Sequence, residues 1–177
     1  PIGNAAYVGV STYQVTIGFE GLHINPTGDK MFTCHGSLGY TVGEVHSYDL
    51  STAWDVNTAT TANIKIMNFS GIVFTYCTGI DFKPDGKTMY LCGLTDSGFK
   101  IVEYSLATAW DISSTMTYVA SITTVSPSSI RFQDNGEYVF IMDTTNPDTV
   151  RKHQLVTPWS ISSMVSTASQ SVDINNI

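Results

Sequence analysis

Three polar residues stand among apolar neighbours and could bind or neutralise charge. His23, Asp81 and Arg131 each lie between two alternating apolar residues, and all three occupy one position of a repeated segment. Because opposite charges favour each other's ionised form, a salt bridge between Asp81 and Arg131 is the main interpretation. The functional alternative is a site for a small polar ligand or an ion.

Three tryptophans recur four residues after a leucine and offer a second kind of chemistry. Trp54, Trp110 and Trp159 could stack on sugar rings, but their identical place in every copy favours buried wedges between the third and fourth strands of each copy. Asp55 and Asp111 follow two of these tryptophans, as residues of a turn would. The alternative is a calcium site, which needs at least about six oxygen ligands that no local acidic run supplies.

The other polar residues form no recognisable catalytic or metal-binding motif. Zinc-ligand spacing is absent around the four histidines, which are His23, His35, His46 and His153. The chain also lacks the G-x-S-x-G and G-x-G-x-x-G motifs. Its three cysteines are interpreted as reduced packing residues. We therefore expect no catalytic residue, no cofactor and no metal.

A threefold repeat positions these residues. Aligned on the turn glycines Gly28, Gly86 and Gly136, the copies read LHINPTGDKMFTC, IDFKPDGKTMYLC and IRFQDNGEYVFIM. Each copy continues into a block that contains the tryptophan, which reads VHSYDLSTAWDV, IVEYSLATAWDI or VRKHQLVTPWSI. The turn glycines are 58 and then 50 residues apart. A period of about 50 residues is typical of propeller blades or a solenoid.

The hydrophobic pattern selects a propeller. Apolar residues alternate on both sides of each glycine turn, which predicts a β-hairpin. Two further runs per copy complete four strands, the last of them at about 64–69, 118–123 and 164–171. We predict one all-β, β-propeller-type domain over residues 1–177, with three four-stranded antiparallel blades and repeats at about 20–70, 78–125 and 128–172. The first strand of a blade lines the central channel. We call His23, Asp81 and Arg131 the polar column, and we expect it to face the axis or a seam between blades.

Composition narrows the classes of partner. The chain has 177 residues, 42% of them hydrophobic, and a net charge of −7. An acidic chain with eight scattered basic residues is a poor match for nucleic acid or for an anionic membrane surface. Neither a signal-peptide pattern nor a run of about 18 apolar residues is present in the sequence given.

The pairing of P-D-G-K-x-M-Y with L-[SA]-T-A-W-D-[IV] resembles the YVTN-like β-propeller repeats of bacterial surface proteins and of phage and marine viral structural proteins. The resemblance covers roughly residues 20 to 165, and it departs from the pattern at Asp134, Asn135 and Ser160. It implies a non-enzymatic structural or adhesion module on a virion tail or cell surface, with a host glycan or protein as partner. The alternative is a propeller hydrolase of lactonase type.

The number of blades sets a further expectation. Because propellers close with about four to eight blades, three blades leave the ring open. We expect either self-association or further blades of a longer chain to complete it.

Overall fold

The computed structural model describes residues 17–37, 42–69, 71–145 and 147–176, and residues 1–16 of the predicted domain lie outside this description. The described chain forms three antiparallel sheets, which we call blades one, two and three. Blade one contains β1 (Ile17–Ile24), β2 (Lys30–Ser37), β3 (Glu44–Leu50) and β4 (Ala59–Ile66). Blade two contains β5 (Asn68–Phe69), β6 (Ile72–Phe82), β7 (Thr88–Thr95), β8 (Gly98–Leu106) and β9 (Met116–Thr123). Blade three contains β10 (Pro127–Phe132), β11 (Tyr138–Asp143), β12 (Thr149–Gln154) and β13 (Gln170–Asp173).

Within each blade the strands pair in chain order, so every blade is an antiparallel meander. Three short 3₁₀ helices, Val56–Thr58, Ile161–Ser163 and Ile174–Asn176, are the only helices among the described residues. The prediction of an all-β, propeller-type fold with three four-stranded antiparallel blades is confirmed, with the two-residue β5 added to blade two. No helix of the described chain has the length and apolar character needed to cross a membrane.

Each blade has a glycine in its first turn, and the tryptophan of the same blade covers that turn. Gly86 has φ +71°, and a Cβ placed on it would lie 2.3 Å from the Trp110 indole nitrogen. The Trp110 backbone N–H donates to the Gly86 carbonyl at 3.0 Å. Gly28 with Trp54 and Gly136 with Trp159 repeat this arrangement. Glycine alone fits both the left-handed backbone and the space under the indole.

This geometry corrects the interpretation of the tryptophans as buried wedges between the third and fourth strands. All three adopt a positive φ, between 60° and 67°, in the loop after the third strand, and their side chains lie over the turn that joins the first two strands. The side chain of Trp54 is 61% exposed. The recurring spacing of glycine and tryptophan therefore reflects a contact between two loops.

Two apolar clusters hold the blades face to face. Phe32 and Val45 of blade one pack with residues of blade two such as Leu91. Ile101 of blade two and Val139 of blade three belong to the second cluster. Period-two alternation gives each strand one side for each neighbouring blade, which explains why the inner strands are apolar on both faces.

The three cysteines lie inside these clusters. Cys34, Cys77 and Cys92 are all buried and free. Burial raises the pKa of the Cys92 thiol to about 12, and burial followed by the neighbouring Cys34 raises that of Cys77. Both thiols stay protonated and unreactive at neutral pH, which agrees with their interpretation as reduced packing residues.

The fourth strands of blades one and three begin and end elsewhere than predicted, whereas the fourth strand of blade two, Met116–Thr123, ends as predicted. In blade one the strand starts at Ala59, because the Asp55 carboxylate caps a 3₁₀ turn and the chain becomes extended directly after it. In blade three the strand covers Gln170–Asp173 in place of 164–171. A 3₁₀ turn and a single bridge between Leu155 and Met164 occupy the space before it. The Ser163 hydroxyl donates to the carbonyls of Thr157 and Ser160, and these side-chain bonds stabilise the turn in place of an extended strand.

Candidate functional site

The polar column and the three tryptophans line one cavity of about 270 Å³. The cavity lies at the end of the blades that carries the glycine turns, since Pro26, Pro84 and Asp134 of these turns also line it. The column residues that line it are His23, Asp81 and Arg131, and the tryptophans are Trp54, Trp110 and Trp159. Residues that are distant in the sequence meet here because each blade supplies its first strand and its tryptophan loop.

Packing of the blades brings the column together around the carboxylate of Asp81. Its Oδ1 lies 3.0 Å from His23 Nδ1 of blade one and accepts from Arg131 Nη1 of blade three at 2.9 Å. Its Oδ2 accepts from the backbone N–H of Phe132 at 2.8 Å. Asp81 is only 2% exposed, and the low dielectric of the protein interior strengthens these hydrogen bonds. The structure thus contains the salt bridge between Asp81 and Arg131, and it adds His23 to it.

These contacts fix the protons of His23. A carboxylate that already accepts from a guanidinium and a backbone N–H can only accept from the imidazole, so Nδ1 carries the proton. In the neutral ring Nε2 is then the acceptor, and it is buried with no hydrogen-bond partner in the described part of the chain. The ring is also held by Phe82 and Trp110, whose centroids lie 5.1 and 5.8 Å from its own. An imidazole oriented by a carboxylate is the usual form of a general base.

Arg131 supplies the accessible positive charge of the cavity. Its side chain is 64% exposed, in contrast to the buried Asp81. Within the described residues, Asp81 is its one ion-pair partner. Because a guanidinium has five N–H donors, a single bond to Asp81 leaves donors that can bind a carboxylate or phosphate of a ligand.

The tryptophans give the cavity aromatic walls. Trp54 exposes most of its indole, while Trp110 and Trp159 are half-buried. Trp159 stacks on Phe132 with 5.5 Å between the ring centroids. Aromatic faces beside a few polar groups are typical of sites for small molecules, including sugars. The arrangement therefore combines a base, an anion-binding group and stacking surfaces.

The aspartates that follow the tryptophans serve the local turns. Asp55 Oδ1 accepts from the backbone N–H of Asn57 at 3.0 Å, and Asp111 Oδ1 accepts from that of Ser113 at 2.8 Å. Hydrogen bonds from Ser113 lower the pKa of Asp111. These contacts are those of Asx turns, as the sequence predicted.

Sequence reasoning found the column but missed two of its features. It paired Asp81 with Arg131 from their opposite charges and did not add His23 to the pair, because a histidine side chain is charged only when it is protonated. It also did not place the tryptophans in the same cavity. The signal that could have found both is the repeat itself, because equal positions in adjacent blades become neighbours in space.

The remaining histidines divide into two groups. His153 Nδ1 lies 3.0 Å from the carbonyl of Val165, within blade three. His35 and His46 lie together beside Glu44, on blade one. The expectation of no metal ligands rested on sequence spacing, and this spacing did not reveal a cluster that forms across two strands.

Comparisons with known proteins give matches only at the level of structure. No family model matches the sequence, and no curated protein matches it. The chain is similar to a candidate 6-phosphogluconolactonase from Bacteroides uniformis ATCC 8492, with 12% identity, a TM-score of 0.54 and coverage of 89% of this chain and 41% of the other. A candidate 6-phosphogluconolactonase from Bacteroides fragilis NCTC 9343 gives 13% identity and a TM-score of 0.49, covering 93% of this chain and 58% of that one. Sqt1 from Chaetomium thermophilum gives 13% identity and a TM-score of 0.48, covering 85% of this chain and 35% of that one.

The likeness at a TM-score of 0.54 corrects the functional expectation and leaves the family open. That structure is named for a lactonase and not for a virion or adhesion protein, so the expectation of a virion or adhesion module is withdrawn. The resemblance to YVTN-like repeats gains no match of its own. This chain spans less than half the length of that neighbour. At such identity the likeness shows the fold alone, and that fold is of propeller type.

Proposed function

We propose that this chain carries the site of a propeller hydrolase of lactonase type, which opens the ring ester of an anionic sugar lactone. The observation that carries the proposal is the His23–Asp81 pair at 3.0 Å in a cavity shared with Arg131 and the tryptophans. The lactonase name of the structural neighbour supports the reaction class. This chain covers 41% of that neighbour, so we also propose the same activity for any longer protein that contains this chain.

His23 acts as the general base in this mechanism. Its Nε2 is buried beside the stacked Trp110 ring, so the mechanism requires that ring to move aside when substrate binds. Nε2 then takes a proton from a water molecule while the water oxygen bonds to the carbonyl carbon of the lactone. The bond between that carbon and the ring oxygen then breaks, and the ring oxygen leaves as a hydroxyl after His23 returns the proton. The product is the open hydroxy acid, and no other reactant is consumed. Asp81 holds the imidazole tautomer and stabilises the imidazolium that forms between the two steps.

Arg131 and the tryptophans bind the substrate. The exposed guanidinium is placed to hold a phosphate or carboxylate on the sugar, and it contacts Asp81 with only one of its donors. The aromatic walls cover the faces of the ring. An anionic sugar lactone matches both features, whereas a neutral apolar ester would leave the guanidinium without a partner.

A kinetic comparison of two substrates tests the proposal. Hydrolysis of phosphorylated and unphosphorylated gluconolactone is followed by acid release at constant pH, with the spontaneous rate subtracted. His23→Gln is expected to lower kcat by about 10²- to 10⁴-fold, the usual contribution of a general base. Arg131→Gln is expected to raise KM for the phosphorylated substrate more than KM for the unphosphorylated one.

His153→Gln is the matched control, because it removes an imidazole of blade three that does not line the cavity. Its rate is expected to equal that of the wild type. The proposal is wrong if the wild-type protein does not exceed the spontaneous rate, or if His23→Gln keeps the wild-type kcat.

A further inference from the structure

A second group of polar side chains lies on blade one, away from the cavity. His35 Nε2 lies 2.8 Å from His46 Nε2, and His46 Nε2 lies 2.9 Å from Glu44 Oε2. The third pair, His35 Nε2 and Glu44 Oε2, is 3.6 Å apart. Three ligand atoms from three residues thus converge on one point, and none of these residues lines the cavity.

The ladder between β2 and β3 creates this convergence. His35 and Glu44 are directly opposite each other in the register, and His46 follows Glu44 by two residues. Side chains at such positions share one face of a sheet. Tyr48, two residues further along the same face, places its hydroxyl 3.4 Å from His46 Nδ1 and orients that ring. The site is therefore built on paired strands, which hold ligands more firmly than loops do.

The same positions hold other chemistry in the other blades. Blade three places Asp143 opposite Thr149, with Arg151 two residues on, and the Arg151 guanidinium pairs with the Asp143 carboxylate. Blade two has Gly93 opposite Lys100. The repeat therefore does not require histidines here. At these positions blade three has an acidic and a basic side chain that form an ion pair, whereas blade one has only side chains that can act as metal ligands.

The distances match those around a small cation. Ligand atoms at about 2.0 to 2.1 Å from a tetrahedral zinc ion lie about 3.3 Å from one another. The observed separations of 2.8, 2.9 and 3.6 Å bracket that value. Two imidazole nitrogens and one carboxylate oxygen also form the donor set that zinc and related transition metals accept with a coordination position left open.

We propose that His35, Glu44 and His46 form a binding site for one divalent transition metal ion, with zinc the best match. The site is independent of the proposed hydrolase, because it rests on different residues, none of which lines the cavity. A metal here would tie β2 to β3 through side chains and stabilise blade one against local unfolding.

Metal titration of the tag-free chain, stripped with a chelator, tests this site. Calorimetry with zinc chloride is expected to give one equivalent bound. Glu44→Gln and His46→Gln are each expected to lower the affinity at least about tenfold, since each removes one ligand. Glu44 is 32% exposed and glutamine keeps its shape, so that variant is expected to fold. His153→Gln, which removes an imidazole elsewhere, is expected to bind as the wild type does.

The absorption spectrum with Co²⁺ identifies the ligands. Coordination by imidazole and carboxylate gives weak visible d–d bands and no thiolate charge-transfer band. The proposal is overturned if the wild type binds no zinc, or if Glu44→Gln keeps the wild-type affinity. A thiolate band would equally overturn it, because it would assign the metal to the buried cysteines Cys34, Cys77 and Cys92.

Discussion

Asp81→Asn is expected to lower the free energy of unfolding by about 2 to 3 kcal/mol at pH 7. The carboxylate has contacts with three donors, namely Arg131 Nη1, His23 Nδ1 and the Phe132 N–H. An asparagine keeps one acceptor oxygen and turns an NH₂ group toward at least one of these donors. A hydrogen bond to a charged group contributes about 1.5 to 3 kcal/mol to stability, and a buried donor left without an acceptor costs a similar amount of free energy.

The value stays at the lower end because of where the remaining charge lies. Removing one partner of a buried ion pair costs about 3 to 5 kcal/mol when the other charge stays buried. Here the Arg131 side chain is 64% exposed, so water solvates it once Asp81 is gone. For a chain of this size the melting temperature is then expected to fall by about 4 to 12 °C.

Urea denaturation at pH 7 measures this change. The m value of the variant is compared with that of the wild type, because equal m values show that both unfold in the same two-state transition. Asp49→Asn is the matched control. It removes an ion pair with Lys30 whose side chains are 33% and 54% exposed, and such a pair contributes at most about 1 kcal/mol. A stability of Asp81→Asn within the error of the Asp49 control would refute the reasoning that the column holds the blades together.

Two further predictions follow from burial. Trp110→Ala is expected to lower the free energy of unfolding by about 2 to 3 kcal/mol, because Trp110 packs on aromatic rings of blades one and two. Trp54→Ala is expected to lower it by about 1 kcal/mol, since Trp54 is 61% exposed. Thermal melts measure both variants, and equal losses of stability would contradict this prediction. Burial raises the pKa of Glu103 above its usual 4.5, so the folded state binds this proton more tightly and stability is expected to fall as pH rises from 4.5 through the folded pKa. Glu103→Gln is expected to flatten that part of the stability profile in denaturation series at several pH values, and an unchanged profile would exclude Glu103 as its source.

The sequence by itself determined the architecture of this chain. Period-two alternation around the turn glycines, repeated three times, is enough to predict antiparallel blades, because strand faces and hairpin turns depend on local residue types. Equal positions in the repeat, together with opposite charges, also predicted the salt bridge between Asp81 and Arg131. The self-association that three blades suggest stays a prediction.

Only the tertiary structure decided the chemistry of the site. The tryptophans were expected to be buried, but the loop that carries each one adopts a left-handed backbone and places the indole over a glycine turn, which no propensity of tryptophan indicates. The tautomer of His23 depends on a carboxylate from the next blade. The meeting of His35, Glu44 and His46 depends on the register of two strands. Hydrogen bonds and metal-ligand geometry act over about 3 Å, so they are set by how strands pair and blades pack, which local sequence does not specify.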